Sequence, residues 1–224
     1  MLIKICGIKT GEMAQVVVEA GADLIGLVFY PPSPRYLSPE AADALVSALA
    51  KLRQQPKLVG LFVNAPIEEM TAAVERYGLD YLQLSGDETP EQCAELSALR
   101  PVIRALRLPA RISPEEALPL ATPFGQIANL TLLLDTHKSG MYGGTGEIGD
   151  WEAAYRLART FPVLLAGGLT PENVGEAIEK VQPWGVDVSS GVEKSGLPGE
   201  KDPEKIARFI ERARRVKLSD PSPR

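Results

Sequence analysis

Short apolar runs alternate along this chain with longer segments in which apolar residues return every three or four positions. The first kind reads as buried strand, the second as amphipathic helix. Strands are predicted at Leu2–Cys6, Asp23–Phe29, Lys57–Val63, Tyr81–Leu84, Val102–Leu106, Leu130–Asp135, Val163–Ala166 and Val186–Ser189. Helical spacing runs through "EMAQVVVEAGA", "PEAADALVSALAKL", "IEEMTAAVERYG", "PEQCAELSAL", "WEAAYRLARTF", "PENVGEAIEKV" and "PEKIARFIERARRVK". Four helix starts share one signature: Ser38-Pro39-Glu40, Thr89-Pro90-Glu91, Thr170-Pro171-Glu172 and Asp202-Pro203-Glu204. A capping oxygen, a proline at the first helical position and an acid near the positive helix end all favour starting there. Ser113–Leu120 is the poorest helix, because Pro119 interrupts its pattern.

Strands alternating with helices eight times predict an α/β fold, a single-domain (β/α)8 TIM barrel. An open doubly wound sheet is the main rival, but no G-x-G-x-x-G follows the first strand. No linker or shift in composition divides the chain. The barrel is therefore expected over residues 1–217, with Leu218–Arg224, "LSDPSPR", as a flexible tail. In such a barrel the chemistry sits where strands end and the following loops begin. Those places hold the unusual sequence: "YPPSPRY" with Arg35, "SGDET", "DTHKSGMYGGTGEIGDW", "GGLT" and "SSGVEKSGLPGEKD".

Composition narrows the picture. The chain has 224 residues, 45% of them hydrophobic, and a net charge of −5. That balance argues against non-specific nucleic-acid binding, which needs a basic face. No apolar run approaches the roughly 18 residues of a membrane span, and no secretory leader is evident. Cys6 and Cys93 are the 2 cysteines, too few for a disulfide scaffold or a structural zinc site. A reduced cytoplasmic setting is the simplest expectation.

The last two loops suit an anion. Backbone amides of Gly167 and Gly168, with Ser189, Ser190 and Gly191, could surround a phosphate. Glycine permits close approach, while amides and hydroxyls supply uncharged donors. Each loop alone also reads as an ordinary turn; together they end adjacent strands at the expected rim.

With these residues in view, "KICGI", "GLVFYPPSPRYLSPE", "VGLFVN", "LLLD…GGTG…DW", "LLAGGLTPENV" and "GVDVSSGVE…PGEKD" resemble the phosphoribosylanthranilate isomerase family of tryptophan biosynthesis. The resemblance runs from residue 2 to about residue 210. It implies a cofactor-free Amadori rearrangement of N-(5-phosphoribosyl)anthranilate to 1-(2-carboxyphenylamino)-1-deoxyribulose 5-phosphate, with no metal, in a monomer or homodimer. It further implies that Cys6 is the base, Asp135 the acid and Arg35 the partner of the anthranilate carboxylate. Two positions depart from the family pattern. Ser85 replaces a histidine after the fourth strand, and Gly149 replaces a phenylalanine before Asp150-Trp151. The single histidine, His137, reads as a loop residue without a catalytic role.

Strand alternation gives Cys6 a direction. Ile3 and Ile5 should face the helices, with Lys4 and Cys6 facing the lumen. A thiol there points at a bound substrate. By itself a strand cysteine is usually a small core residue, and Cys93 in its helix reads as core or half-buried. A free thiol titrates near 8.5 and a free aspartate near 3.9. A base at Cys6 therefore needs its thiolate stabilised, and an acid at Asp135 must keep its proton. An inward Lys4 would be an expensive buried charge unless paired. Asp187 has the lumenal facing in the last strand, which neighbours the first in a closed barrel, so a Lys4–Asp187 pair is expected. Two other functions stay open on the residues: the histidine-pathway sugar isomerase, which uses carboxylates as both acid and base, and a non-catalytic phosphosugar-binding barrel.

Overall fold

Each strand of this chain is too apolar to face water on either side, so helices must cover one face and a closed lumen the other. The computed structural model describes residues 1–136 and 150–217. Its strands are β1 (Leu2–Cys6), β2 (Leu24–Val28), β3 (Lys57–Phe62), β4 (Tyr81–Leu84), β5 (Val102–Leu108), β6 (Leu130–Thr136), β7 (Val163–Leu165) and β8 (Gly185–Val188). The helices are α1 (Gly11–Glu19), α2 (Pro39–Leu49), α3 (Ile67–Tyr77), α4 (Pro90–Leu99), α5 (Pro114–Ala121), α6 (Trp151–Ala158), α7 (Val174–Val181) and α8 (Pro203–Arg215). All neighbouring strands are parallel, and β8 pairs with β1 to close the barrel. The (β/α)8 expectation is met, with strand ends shifted by one or two residues. The predicted tail Leu218–Arg224 lies outside the described residues. Among the described residues no helix is long and apolar enough to cross a membrane.

Local chemistry sets the helix ends. Ser38, Thr89, Ser113 and Asp202 each accept an N–H of their helix, and each is followed by proline. Gly78 ends α3 in the left-handed conformation at φ 63°. Two expectations need correction. Pro119 lies inside α5 rather than breaking it: the helix continues to Ala121, and Thr122 N–H closes on Leu118. At Thr170-Pro171-Glu172 the chain makes a turn, and α7 starts only at Val174. The reason is Asn173, whose Oδ1 accepts Thr170 N–H at 2.8 Å while its Nδ2 donates to Gly168 O at 2.9 Å. That residue ties down the loop after β7 before the helix can begin.

Alternation divides the side chains as expected. Ile3 and Ile5 belong to the large core between sheet and helices. A smaller apolar cluster of Leu24, Val59, Ile103, Ala105, Leu133, Leu164 and Ala166 fills the lumen, with Leu2 and Tyr81 against it. One layer higher, toward the C-terminal ends of the strands, the lumen turns polar: Lys4, Gln83, Ser85 and Asp187 are all buried there.

Candidate active site

The polar layer floors a pocket lined by Cys6, Tyr30, Arg35, Gln83, Ser85, Arg107, Asp135, Asp187 and Ser189, among others. Cys6 closes β1 and is 4% exposed. Its position follows from register: Cys6 pairs with Gly26 of β2, and a Cβ at Gly26 would lie 2.8 Å from Cys6 Sγ and 3.1 Å from Lys4 Nζ. Only glycine leaves that room. Asp135 reaches the same pocket from β6, aligned with Arg107 of β5. The barrel thus brings the predicted base and acid, far apart in sequence, onto one cavity. His137 and Gly149 lie outside the described residues.

The predicted Lys4–Asp187 pair is present. The two residues are register partners across β1 and β8, and Lys4 Nζ donates to Asp187 Oδ1 at 2.8 Å. Burial alone would lower the lysine's pKa; Asp187 and then Cys6 reverse this, so the net shift is upward and the ammonium persists.

A second cavity adjoins the first, sharing Asp135, Asp187 and Ser189 with it. Its wall contains all five predicted anion residues: Gly167, Gly168, Ser189, Ser190 and Gly191. Gly167 and Gly168 adopt φ 75° and 64°, a conformation that side chains disfavour. Gly191 packs so closely on the Leu169 carbonyl that a methyl group would overlap it. The glycines bring two loops together around a space bordered by amides and hydroxyls.

Arg35 lines the same pocket as Cys6 and Asp135, and two of its nitrogens are already engaged. Nε and Nη2 fork onto Glu193 at 2.7 and 3.0 Å. Lys201 Nζ also donates to Glu193, at 2.9 Å, and to Ser189 O and Oγ at 2.9 and 3.2 Å. Ser189 Oγ in turn donates to Cys6 O at 3.1 Å. Burial would raise Glu193, but Arg35 and Lys201 outweigh it and hold the carboxyl below its usual range. Lys201 itself is pulled down by burial, against Glu193 and Cys6. This chain of contacts locks the loop after β2 to the loop after β8.

Sequence reasoning missed Glu193 and Lys201. Their one signal was a pair of opposite charges on either side of "SGLPG". Gln83 was also missed: its Nε2 donates to Ser85 Oγ at 3.1 Å, and its buried Oε1 has no protein partner among the described residues. Ser85, where the family pattern carries a ring, joins the pocket wall.

Residues 3–212 match the family model described as N-(5'-phosphoribosyl)anthranilate (PRA) isomerase. The chain belongs to that family. An N-(5'-phosphoribosyl)anthranilate isomerase of Roseiflexus sp. (strain RS-1) is 44% identical over 216 residues, covering 95% of this chain and 97% of the relative. One from Citrifermentans bemidjiense is 43% identical, covering 96% and 98%. The phosphoribosyl anthranilate isomerase structure from Thermotoga maritima superposes with a TM-score of 0.82 at 35% identity, over 96% of this chain and all of that one. A family structure in complex with reduced 1-(o-carboxyphenylamino)-1-deoxyribulose 5-phosphate matches with a TM-score of 0.79, also at 35% identity, over 96% of this chain and 100% of that one.

Proposed function

We propose that this chain catalyses the Amadori rearrangement of N-(5'-phosphoribosyl)anthranilate to 1-(2-carboxyphenylamino)-1-deoxyribulose 5-phosphate, with Cys6 as base and Asp135 as acid. The observation that carries the reading is the placement of a thiol and a carboxyl on one pocket that opens into a glycine-lined cradle. That arrangement suits a substrate with a reacting sugar and a terminal phosphate.

The reaction divides between the two groups. Asp135 gives a proton to the furanose ring oxygen, the C1–O bond opens, and nitrogen's lone pair forms a Schiff base at C1. The phosphate dianion in the adjoining cradle favours the protonated acid until that step. The Cys6 thiolate then removes the proton from ribose C2, and the C–H electrons pass through C1 to nitrogen. The resulting enolamine tautomerises to the ketose. Neither residue forms a covalent bond to the sugar. Gly167, Gly168, Ser189, Ser190 and Gly191 hold the phosphate through backbone amides and the Ser190 hydroxyl, since the Ser189 hydroxyl donates to Cys6 O.

Arg35 takes the anthranilate carboxylate. Glu193 grips its Nε and Nη2, which fixes the guanidinium plane and leaves Nη1 for the ligand. The carboxylate-based sugar isomerase fits less well, because the residue ending β1 is a thiol. A non-catalytic barrel fits less well because acid and base are both present on the pocket.

The reading extends to a chain acting in the cytoplasm, as a monomer or homodimer. A family member from Thermotoga maritima is described as dimeric. Loss of N-(5'-phosphoribosyl)anthranilate fluorescence on adding the purified chain tests the function. Cofactor-free turnover supports it; a chain that binds the substrate without consuming it contradicts it.

A further inference from the structure

Cys6 is not alone at the end of its strand. One turn of the pleat below it, Lys4 is wholly buried and absent from the pocket wall, so it cannot touch a substrate in this arrangement. Its ammonium donates to Asp187 Oδ1 at 2.8 Å, and it lies beside the Cys6 sulfur: the point a Gly26 Cβ would take is 2.8 Å from Sγ and 3.1 Å from Lys4 Nζ. Gly26, facing both, supplies no side chain that would separate them. A fully buried ion pair is a poor stability device, since well-packed apolar residues often do as well or better. Stability alone is therefore a weak reason for a lysine here.

We propose that the Lys4 ammonium, locked by Asp187, is the counter-charge that holds Cys6 as a thiolate, making Lys4 a positioning residue that acts through Cys6. The inference rests on the reading of Cys6 as the base, yet its test does not depend on turnover. The groups around the thiol separate the roles. Lys201 also lies within electrostatic reach of Cys6, but its three donors are engaged by Glu193 and by Ser189 O and Oγ. Arg35 is forked onto Glu193 across the pocket. Asp187 and Asp135 are both carboxyls on that pocket and oppose a thiolate when ionised. Lys4 is the cation that combines a place beside the sulfur, a fixed partner and exclusion of water. A cation beside a thiol is the general route by which proteins favour its reactive form.

The chain offers a clean probe. Cys93 is buried and pushed up to about 11 by that burial, so it stays a thiol near neutral pH. The thiolate ultraviolet absorbance of the parent chain, less that of Cys6→Ser, therefore reports Cys6, with no change at Lys4. The alkylation rate of Cys6 by iodoacetamide is then followed against pH in the parent, Lys4→Gln, Lys4→Arg and the charge-free Lys4→Met/Asp187→Asn double variant. The double variant leaves no buried charge unpaired. The proposal expects Cys6-dependent thiolate absorbance in the parent at neutral pH. It also expects alkylation slowed about tenfold or more in Lys4→Gln and the double variant, equivalent to a profile displaced by at least one unit, with Lys4→Arg restoring much of the rate. A merely structural Lys4 would change melting temperature and leave the alkylation profile in place. That unchanged profile in the folded double variant, or a parent with no thiolate signal near neutrality, overturns the proposal. The base assignment fails separately, through a Cys6→Ala variant that still turns over.

Discussion

Both cysteines of this chain lie near a buried ion pair, yet their settings differ. Cys6 ends β1 in the lumen, where Lys4 and Asp187 meet at 2.8 Å beside it and its side chain lines the pocket. Cys93 sits in α4, within the core between helix and sheet, where Arg104 and Glu88 are paired at 3.3 Å. The Arg104 guanidinium gives its Nη1 to the carbonyls of Leu84, Gly86 and Ala105 as well as to Glu88. Glu88 in turn accepts the N–H groups of Asn64 and Gly86, at 2.8 and 3.0 Å. That pair staples the loops after β3 and β4. Burial dominates at Cys93 and raises it to about 11, although Arg104 pulls the other way. Nearness of a cation is thus not enough to make a thiol reactive. The reactivity proposed for Cys6 rests instead on a cation fixed beside the sulfur and on the opening of that sulfur onto a cavity.

The sharpest way to break this contrast is to truncate each thiol. Cys6→Ala should lower turnover about 10²–10⁴-fold, the usual loss for a positioned acid–base group, with the melting temperature little changed. Asp135→Asn should be comparably severe, since an amide cannot deliver the proton. Cys93→Ala should leave steady-state turnover intact and remove on the order of 1 kcal/mol of stability through a small core void. If Cys93→Ala lost turnover while Cys6→Ala kept it, the roles would be reversed.

The cradle gives a smaller effect. Inorganic phosphate should compete with substrate in the parent. Gly191→Ala, forced against the Leu169 carbonyl, should raise the inhibition constant for phosphate several-fold, as should a bulky residue at Gly168. Unaltered competition would remove the anion from these loops.

Arg35→Ala sharpens the contrast between chemistry and binding. A carboxylate held away from the reacting carbons contributes uniform binding, which shows in KM. The loss of one charge-assisted contact, about 1.5–3 kcal/mol, predicts KM raised about ten- to a hundredfold with kcat less affected. Collapse of kcat at constant KM would contradict the assignment.

The smallest effect is a pH dependence at Cys93. Its folded value is about 11 against an ordinary 9.0, so the folded chain holds this proton more tightly than the unfolded one. Stability should therefore fall as pH rises from about 9 to about 11, by on the order of 2 kcal/mol. Chemical denaturation of the parent and Cys93→Ala across that range should isolate the difference; parallel curves would show that the thiol is less buried than the structure places it.

Much of this was legible in the sequence, for physical reasons. Strand periodicity placed Lys4 and Cys6 in the lumen, and ring closure alone then predicted the pairing with Asp187. The paired glycines and serines could be read because anion cradles need backbone approach. The clamp of Arg35, Glu193 and Lys201 was not read, because loop geometry has no period: opposite charges flanking a short turn are a weak signal, and Arg35 lies 158 residues from Glu193 with none. Glu88 and Arg104 escaped for the same reason. The late start of α7 depended on Asn173 binding backward to Gly168, a choice that cap chemistry at Thr170 does not reveal.

Limited alkylation of the folded parent chain, with the label mapped to each cysteine and compared with remaining turnover, tests the central contrast most directly. The account predicts label on Cys6 alone, activity lost in proportion to that label, and protection by bound product. Label on Cys93 that tracks inactivation, or full turnover from a chain fully alkylated at Cys6, would contradict it.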